Sequence, residues 1–314
     1  MSKSGFMRRA MLAALFGAVL TGGAPIGSAI AEPIEVRHFQ GTTTLEGRPS
    51  RVFVYDLGIL DMLDALDVPV RGVPGSNVPL SLSKYKADSY VKIGTLFEPD
   101  YETVNAEKPD LILIGPRTSE KYAALSALAP VVDLTADSNH FLDSVETNAR
   151  TLGKIFGKEA EVEADIAALG KSINDLRSET KTMGNGLVIL ATGGKISAYG
   201  PKSRFGELHA EFGIAPADPN LAVAVHGQAI SFEYILEVNP DWLFVIDRDA
   251  AVAGHAQTAD KLLDNELVRR TRAWATGRVV YLDPVKMYLT SSSLRSQQGI
   301  VDELIAAIRQ KSKS

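Results

Sequence analysis

Three arginines carry the most readable chemistry in this chain. Arg117 and Arg248 each end a phrase that the sequence writes twice, and Arg204 stands between them in a Gly/Pro loop, "AYGPKSRFG". Arginine stays charged at physiological pH, forks onto pairs of oxygens and stacks on aromatic rings. Any one of the three reads equally well as a solvated surface residue. Two at symmetric positions, with a third in a loop that opens a helix, point instead to an anion site.

Two further side chains belong with them. His226 lies in "VAVHGQAIS", ahead of the second copy of the phrase, and Tyr288 lies in "YLDPVKMYLTSSS", after an apolar run. Taken singly, they are a hydrogen-bonded loop histidine and a packed aromatic. Brought together at a cleft, they offer an imidazole nitrogen and a phenolate oxygen, donors suited to a hard, highly charged metal such as iron(III).

The duplicated phrase is "YETVNAEKPDLILIGPR" (Tyr101 to Arg117) and "FEYILEVNPDWLFVIDR" (Phe232 to Arg248). Aligned without a gap, Glu102 meets Glu233, the two Pro-Asp pairs coincide, and Arg117 meets Arg248. Each copy reads as a short helix, a Pro-Asp break and a buried strand. Each arginine therefore stands just past the carboxyl end of a strand, where open α/β sheets bind ligands. The paired glutamates open equivalent helices. An acid there stabilises the helix by about 0.3–1 kcal/mol, and an exposed symmetric pair could also dock onto two basic sockets of a partner.

Enzyme signatures are weak. Ser81-x-x-Lys84 matches a serine–lysine nucleophile pair, but no Ser-Asp-Asn or Lys-Thr-Gly follows. "TGGK" at Thr192 to Lys195 lacks phosphate-loop spacing, and neither a strand-linked G-x-G-x-x-G nor H-E-x-x-H occurs. The 5 histidines are scattered singly.

The elements that must position these residues alternate strand and helix. "RVFVYDLG" is an apolar strand, followed by an amphipathic helix with Ile59, Leu60, Leu63, Leu66 and Val68 on one stripe. Apolar runs bounded by Pro and Gly, with helices between, indicate parallel sheets covered on both faces. The stretch from Asp143 to Met183 lacks Pro and repeats its apolar residues at helical spacing. Its second half, 158–182, reads as one long helix. After it the α/β pattern resumes, and "GILDMLDALDVP" finds a looser counterpart in "RFGELHAEFGIAP". The fold expected is α/β, with two similar Rossmann-like lobes joined by a single long interlobe helix and a ligand cleft between the lobes. The segments are a leader at 1–31, a first lobe at 32–157, the helix at 158–182 and a second lobe at 183–314.

At 314 residues, 45% hydrophobic and 23% charged, the composition is that of a globular protein. Lys3, Arg8 and Arg9, an apolar core and "AIA" before Glu32 form a cleaved export signal. The general export route fits it better than the twin-arginine route. Cysteine is absent, which excludes disulfides, thiolate metal sites and a lipid anchor on an N-terminal cysteine. The formal net charge of -5 becomes more acidic once the leader's three bases are removed, so nucleic acid is not an expected partner. A freely diffusing periplasmic protein, monomeric and not lipidated, is the expectation.

Across the whole mature chain the sequence resembles the periplasmic binding proteins of ABC iron-siderophore importers, the class III type with a helical backbone. The likeness is sharpest to the catecholate subfamily and is carried by "KISAYGPKSRFG", "VHGQAISFEYILEVNPDWLFVIDR" and "VVYLDPVKMYL". The resemblance implies a binder and not an enzyme, with no intrinsic cofactor and an Fe(III)-siderophore as ligand. It implies that Arg117, Arg204 and Arg248 hold the catecholate oxygens. His226 and Tyr288 would complete the iron(III) shell, and Glu102 and Glu233 would meet arginines of the inner-membrane permease. Alternative cargoes are a hydroxamate or carboxylate siderophore, haem or a corrinoid; a periplasmic serine hydrolase using Ser81 and Lys84 is the remote alternative. One departure stands out: "LTSSS" follows Tyr288 where relatives carry a Gly-containing stretch, and Met287 replaces a common aromatic. Both imply a tyrosine loop placed or gated differently.

Overall fold

The central strands of the two main sheets are short apolar runs whose alternate residues face opposite sides of a sheet, and both sides are buried. The computed structural model describes residues 32–221, 227–253 and 259–311; the expected leader lies outside them, as does His226. A hairpin of β1 (Ile34–His38) and β2 (Gly41–Leu45) precedes the first sheet. That sheet holds β3 (Val52–Val54), β4 (Gly72–Val73), β5 (Val91–Lys92), β6 (Leu111–Ile114) and β7 (Val131–Asp133). All are parallel, in the order β5-β4-β3-β6-β7. Its helices are α1 (Leu57–Ala65), α2 (Tyr101–Glu107), α3 (Tyr122–Ser126) and α4 (Phe141–Phe156).

The long helix α5 (Glu159–Thr180) leads into the second sheet. This sheet contains β8 (Asn185–Thr192), β9 (Lys195–Tyr199), β10 (Ala215–Pro216), β11 (Gln228–Ile230), β12 (Trp242–Asp247) and β13 (Val279–Leu282). Its order is β11-β9-β8-β12-β13, with β10 paired to the start of β8. Here the structure corrects the expectation of wholly parallel sheets: β8 and β9 form an antiparallel hairpin, and β11 pairs antiparallel with β9. The cause is "TGGK". Thr192 pairs with Lys195, and Gly193 (φ 54) and Gly194 (φ 74) take the left-handed conformations of a two-residue hairpin turn. The helices of this lobe are α6 (Glu207–Ala210), α7 (Phe232–Val238), α8 (Arg248–Ala253), α9 (Ala259–Leu263), α10 (Glu266–Arg269), α11 (Arg272–Ala275), α12 (Pro284–Tyr288) and α13 (Leu294–Lys311).

One face of each sheet joins a common core. Val52, Val54, Leu111 and Leu113 of the first lobe and Val188, Leu190, Phe244 and Ile246 of the second belong to one continuous cluster with the inner faces of α4, α5 and α13. The alternate residues, such as Ile112 with Ile114 and Leu243 with Val245, form separate cores on the outer faces. Helix α5 is buried along Val162, Ile166, Leu169, Ile173, Leu176 and Thr180, a stripe of alternating four- and three-residue steps.

The duplicated phrase folds alike twice. Helices α2 and α7 start at Asp100 and Ser231, whose side chains accept from the N–H of Thr103 and Tyr234. Both end on a left-handed residue, Lys108 (φ 49) and Asn239 (φ 44). The repeated aspartates then tie down the start of a neighbouring strand. Asp110 accepts from Ser50 and Arg51 N–H at 2.8 and 2.7 Å, and Asp241 accepts from Asn185 N–H at 3.1 Å. The Pro-Asp motif is thus a strand latch.

Candidate functional site: an arginine cage around one tyrosine

Arg117 follows β6 through Gly115-Pro116, Arg248 opens α8 directly after β12, and Arg204 sits in the loop between β9 and α6. That loop is tight. Ser203 Oγ donates to Gly200 O at 2.6 Å, and a Cβ on Gly206 would collide with the Pro201 carbonyl. The three side chains, one from the first lobe and two from the second, meet on Tyr288, the last residue of α12.

Arg117 and Arg204 donate to the Tyr288 carbonyl oxygen at 2.7 and 3.0 Å. That carbonyl ends a helix, so it is an unsatisfied acceptor at the negative pole of the helix dipole. Arg248 Nε donates to the Tyr288 hydroxyl at 2.8 Å. The guanidinium carbons of Arg204, Arg248 and Arg117 lie 4.2, 5.4 and 5.6 Å from the centre of the phenol ring. Burial pushes the Tyr288 phenol up. The Arg248 hydrogen bond and the Arg204 and Arg248 charges outweigh it, and the net direction is downward, toward a phenolate. The structure therefore brings together four of the five expected ligand-binding residues.

Arg117 is more enclosed than Arg248. Burial lowers its pKa, Asp56 opposes that, and the like charges of Arg204 and Arg248 add to it. Asp56, buried at the end of β3, lies 3.7 Å from Arg117. The same carboxylate caps α1 by accepting from Gly58 and Ile59 N–H and takes a bond from Ser292 Oγ at 3.0 Å. Gly58 leaves room for Ser292, because a Cβ there would collide with its hydroxyl. The next serine, Ser293, donates to buried Asp61 of α1, which Arg295 also pairs. The unusual serine run after Tyr288 is thus a strap from the tyrosine loop to the first lobe. Asp56 and Asp61 were not singled out in the sequence, and the serines stood out there only as a departure after Tyr288. The available signal was two acids on an otherwise apolar helix stripe in "YDLGILDML".

A cavity of about 720 Å³ lies between the Pro74–Leu80 loop of the first lobe and Ala250–Val252 of α8, with Val285 of α12, Lys86 and Lys92 on its walls; it shares those two helices with the cage, but none of Arg117, Arg204, Arg248 and Tyr288 lines it. Asn77 Nδ2 reaches across it to the Val252 carbonyl at 3.4 Å. The volume suits a small-molecule ligand. Glu102 and Glu233 are exposed in the first turns of α2 and α7, away from hydrogen-bonded burial. Among the described residues no group of three or more His, Cys, Asp or Glu is arranged to hold a metal ion, and none of their helices is long and apolar enough to cross a membrane.

This cleft and fold define a class of solute-binding protein with two α/β lobes and a helical backbone. Residues 52–285 match the family model described as Periplasmic binding protein, and the chain belongs to that family. It is 42% identical over 278 residues to the petrobactin-binding protein YclQ of Bacillus subtilis, covering 87% of each chain. It is 34% identical to the ferric-anguibactin-binding protein FatB of Vibrio anguillarum, again over 87% of each. The crystal structure of YclQ superposes with a TM-score of 0.84, covering 88% of this chain and 99% of that one. That of the periplasmic catecholate-siderophore binding protein VctP of Vibrio cholerae also gives 0.84, at 35% identity, covering 88% and 100%.

Proposed function

We propose that this protein captures an iron(III)-catecholate siderophore outside the cytoplasm and delivers it to the membrane permease of an ABC importer. The observation that carries the reading is the convergence of three arginines from two lobes on Tyr288, on the same helices α8 and α12 that wall an interlobe cavity. Guanidinium groups pair with catecholate oxygens and stack on their rings. Tyr288, already biased toward phenolate, supplies an oxygen to iron when the chelate leaves coordination positions open. His226, outside the described residues, is the second protein donor in this reading. The relatives' names fit: they are binding proteins for petrobactin, ferric anguibactin and catecholate siderophores. Glu102 and Glu233 are the permease contacts, one on each lobe, in a monomeric and unlipidated periplasmic protein.

The protein is a binder and not a hydrolase. A catalytic Lys84 would need to shed its proton, yet its ammonium is paired with Asp64, which pushes its pKa up.

Titration with the iron(III) complex of a tetradentate bis-catecholamide tests the reading. Quenching of tryptophan fluorescence at micromolar complex and a shifted charge-transfer band are expected. The band shift disappears in a His226→Ala, Tyr288→Phe double variant. Binding of a ferric hydroxamate with no response to the catecholate would reassign the cargo.

A further inference from the structure

We infer that Asp56 determines which charge of chelate the cage prefers, selecting the less anionic four-oxygen iron(III) catecholate over the trianionic six-oxygen one. This rests on the catecholate reading above. The argument begins with the charges around the cage. Arg117 is paired at 3.7 Å with Asp56, whose side chain is 4% exposed, so its charge acts through protein and not through water. Arg204 has no equivalent: the nearby carboxyl of Glu207 is buried with no hydrogen-bond partner for either oxygen. Burial pushes that group up to about 8, which leaves it neutral at pH 7. Arg248 has Asp249 at 3.8 Å, but that carboxylate is 36% exposed at the rim, where solvent screens it. It is also engaged by Thr192 Oγ1 at 3.0 Å and Gly193 N–H at 2.6 Å. Of the two carboxylates ion-paired with these three guanidinium groups among the described residues, Asp56 is thus the buried one.

The position of Asp56 is built. Gly115 passes so close that a Cβ there would lie 2.9 Å from Asp56 Oδ2. Two α1 N–H groups and Ser292 hold the other oxygen. The carboxylate therefore cannot turn away when cargo arrives, and its repulsion grows with the negative charge of the chelate. A bis-catecholate iron(III) complex is monoanionic, and with a coordinated tyrosine phenolate it matches the two positive charges left over. A tris-catecholate complex exceeds them and has no use for the tyrosine.

Asp56→Asn is the sharp probe, because an asparagine oxygen still caps α1 while the charge is lost. Affinities are measured by fluorescence quenching with iron(III) complexes of a linear bis-catecholamide and a tripodal tris-catecholamide. Asp56→Asn should shift the preference about tenfold toward the tris complex. Arg117→Gln, which leaves Asp56 alone, should shift it about tenfold the other way. The double variant restores the net charge and should return to within about threefold of wild type, and comparing it with Arg117→Gln isolates Asp56 even if the single asparagine variant folds poorly. An unmoved preference in Asp56→Asn, or a double variant no closer to wild type than the singles, overturns the inference alone. A wild-type protein that binds neither complex overturns the catecholate reading and this inference with it.

Discussion

The two copies of the repeated phrase end on the same residue and use it differently. Arg117 is sunk beside a buried aspartate, its side chain 14% exposed, and holds the backbone of Tyr288. Arg248 is 39% exposed, pairs with an aspartate at the rim, and holds the phenol hydroxyl. The looser pair of helices diverges similarly. Each carries a buried acid, but Asp61 is met by Ser293 and Arg295 whereas Glu207 has no partner for its oxygens. Equivalent backbones thus carry unequal polar compensation: the acid on the first-lobe helix is paired, and the one on the second-lobe helix is not.

The comparison is most directly broken at the arginines. Arg117→Gln leaves Asp56 buried without its cation and should cost about 2–4 kcal/mol in urea unfolding, whereas Arg248→Gln should cost under about 1 kcal/mol. Equal losses would show that the two lobes enclose their arginines alike.

The buried acids should respond in opposite directions. Asp61→Asn removes a charged partner of Arg295 and should destabilise by about 1–3 kcal/mol. Glu207→Gln should stabilise. The folded-state pKa of Glu207, about 8, lies above its unfolded value, so folding holds a proton that the unfolded chain releases. Stability therefore falls as pH rises from the ordinary glutamate range to about 8. The gain in Glu207→Gln should be largest near pH 8 and vanish near pH 4, as thermal melts across pH would report; a constant gain would contradict it.

Tyrosine ionisation separates the cage from the cores. Burial raises Tyr281 to about 12 and pushes Tyr55 and Tyr85 up as well, while Tyr288 goes down. Ultraviolet difference titration should find one tyrosine ionising below the ordinary range, and Tyr288→Phe should remove that step. The smallest effects on the isolated protein belong to the exposed helix acids. Glu102→Ala and Glu233→Ala should each cost under about 1 kcal/mol and leave cargo affinity intact while both lower uptake. Loss of uptake from one variant only would deny the symmetric docking.

Much of this was legible because it is local or periodic. The strands, the helix stripe of α5, the duplicated helix-to-strand unit and the strand-end positions of Arg117 and Arg248 follow from apolar spacing and Pro/Gly punctuation. The same reading missed the antiparallel hairpin at Thr192–Lys195, where a two-residue glycine turn overrode the parallel pattern. It also could not reach Asp56. Nothing in "YDLGILDML" distinguishes a helix cap from a counter-ion, because Arg117 and Ser292 stand far away in sequence and are brought to Asp56 only by the fold.

The sequence by itself determined two α/β units, a long helix between them and two arginines just past the carboxyl ends of equivalent strands, since side-chain period and chain punctuation are properties of neighbouring residues. Only the tertiary structure decided that these arginines converge on Tyr288, that one of them is half-neutralised from below, and that the serine strap joins the tyrosine loop to the opposite lobe. Charge compensation and hydrogen bonding depend on which groups share a buried volume, and that is settled by how the lobes pack.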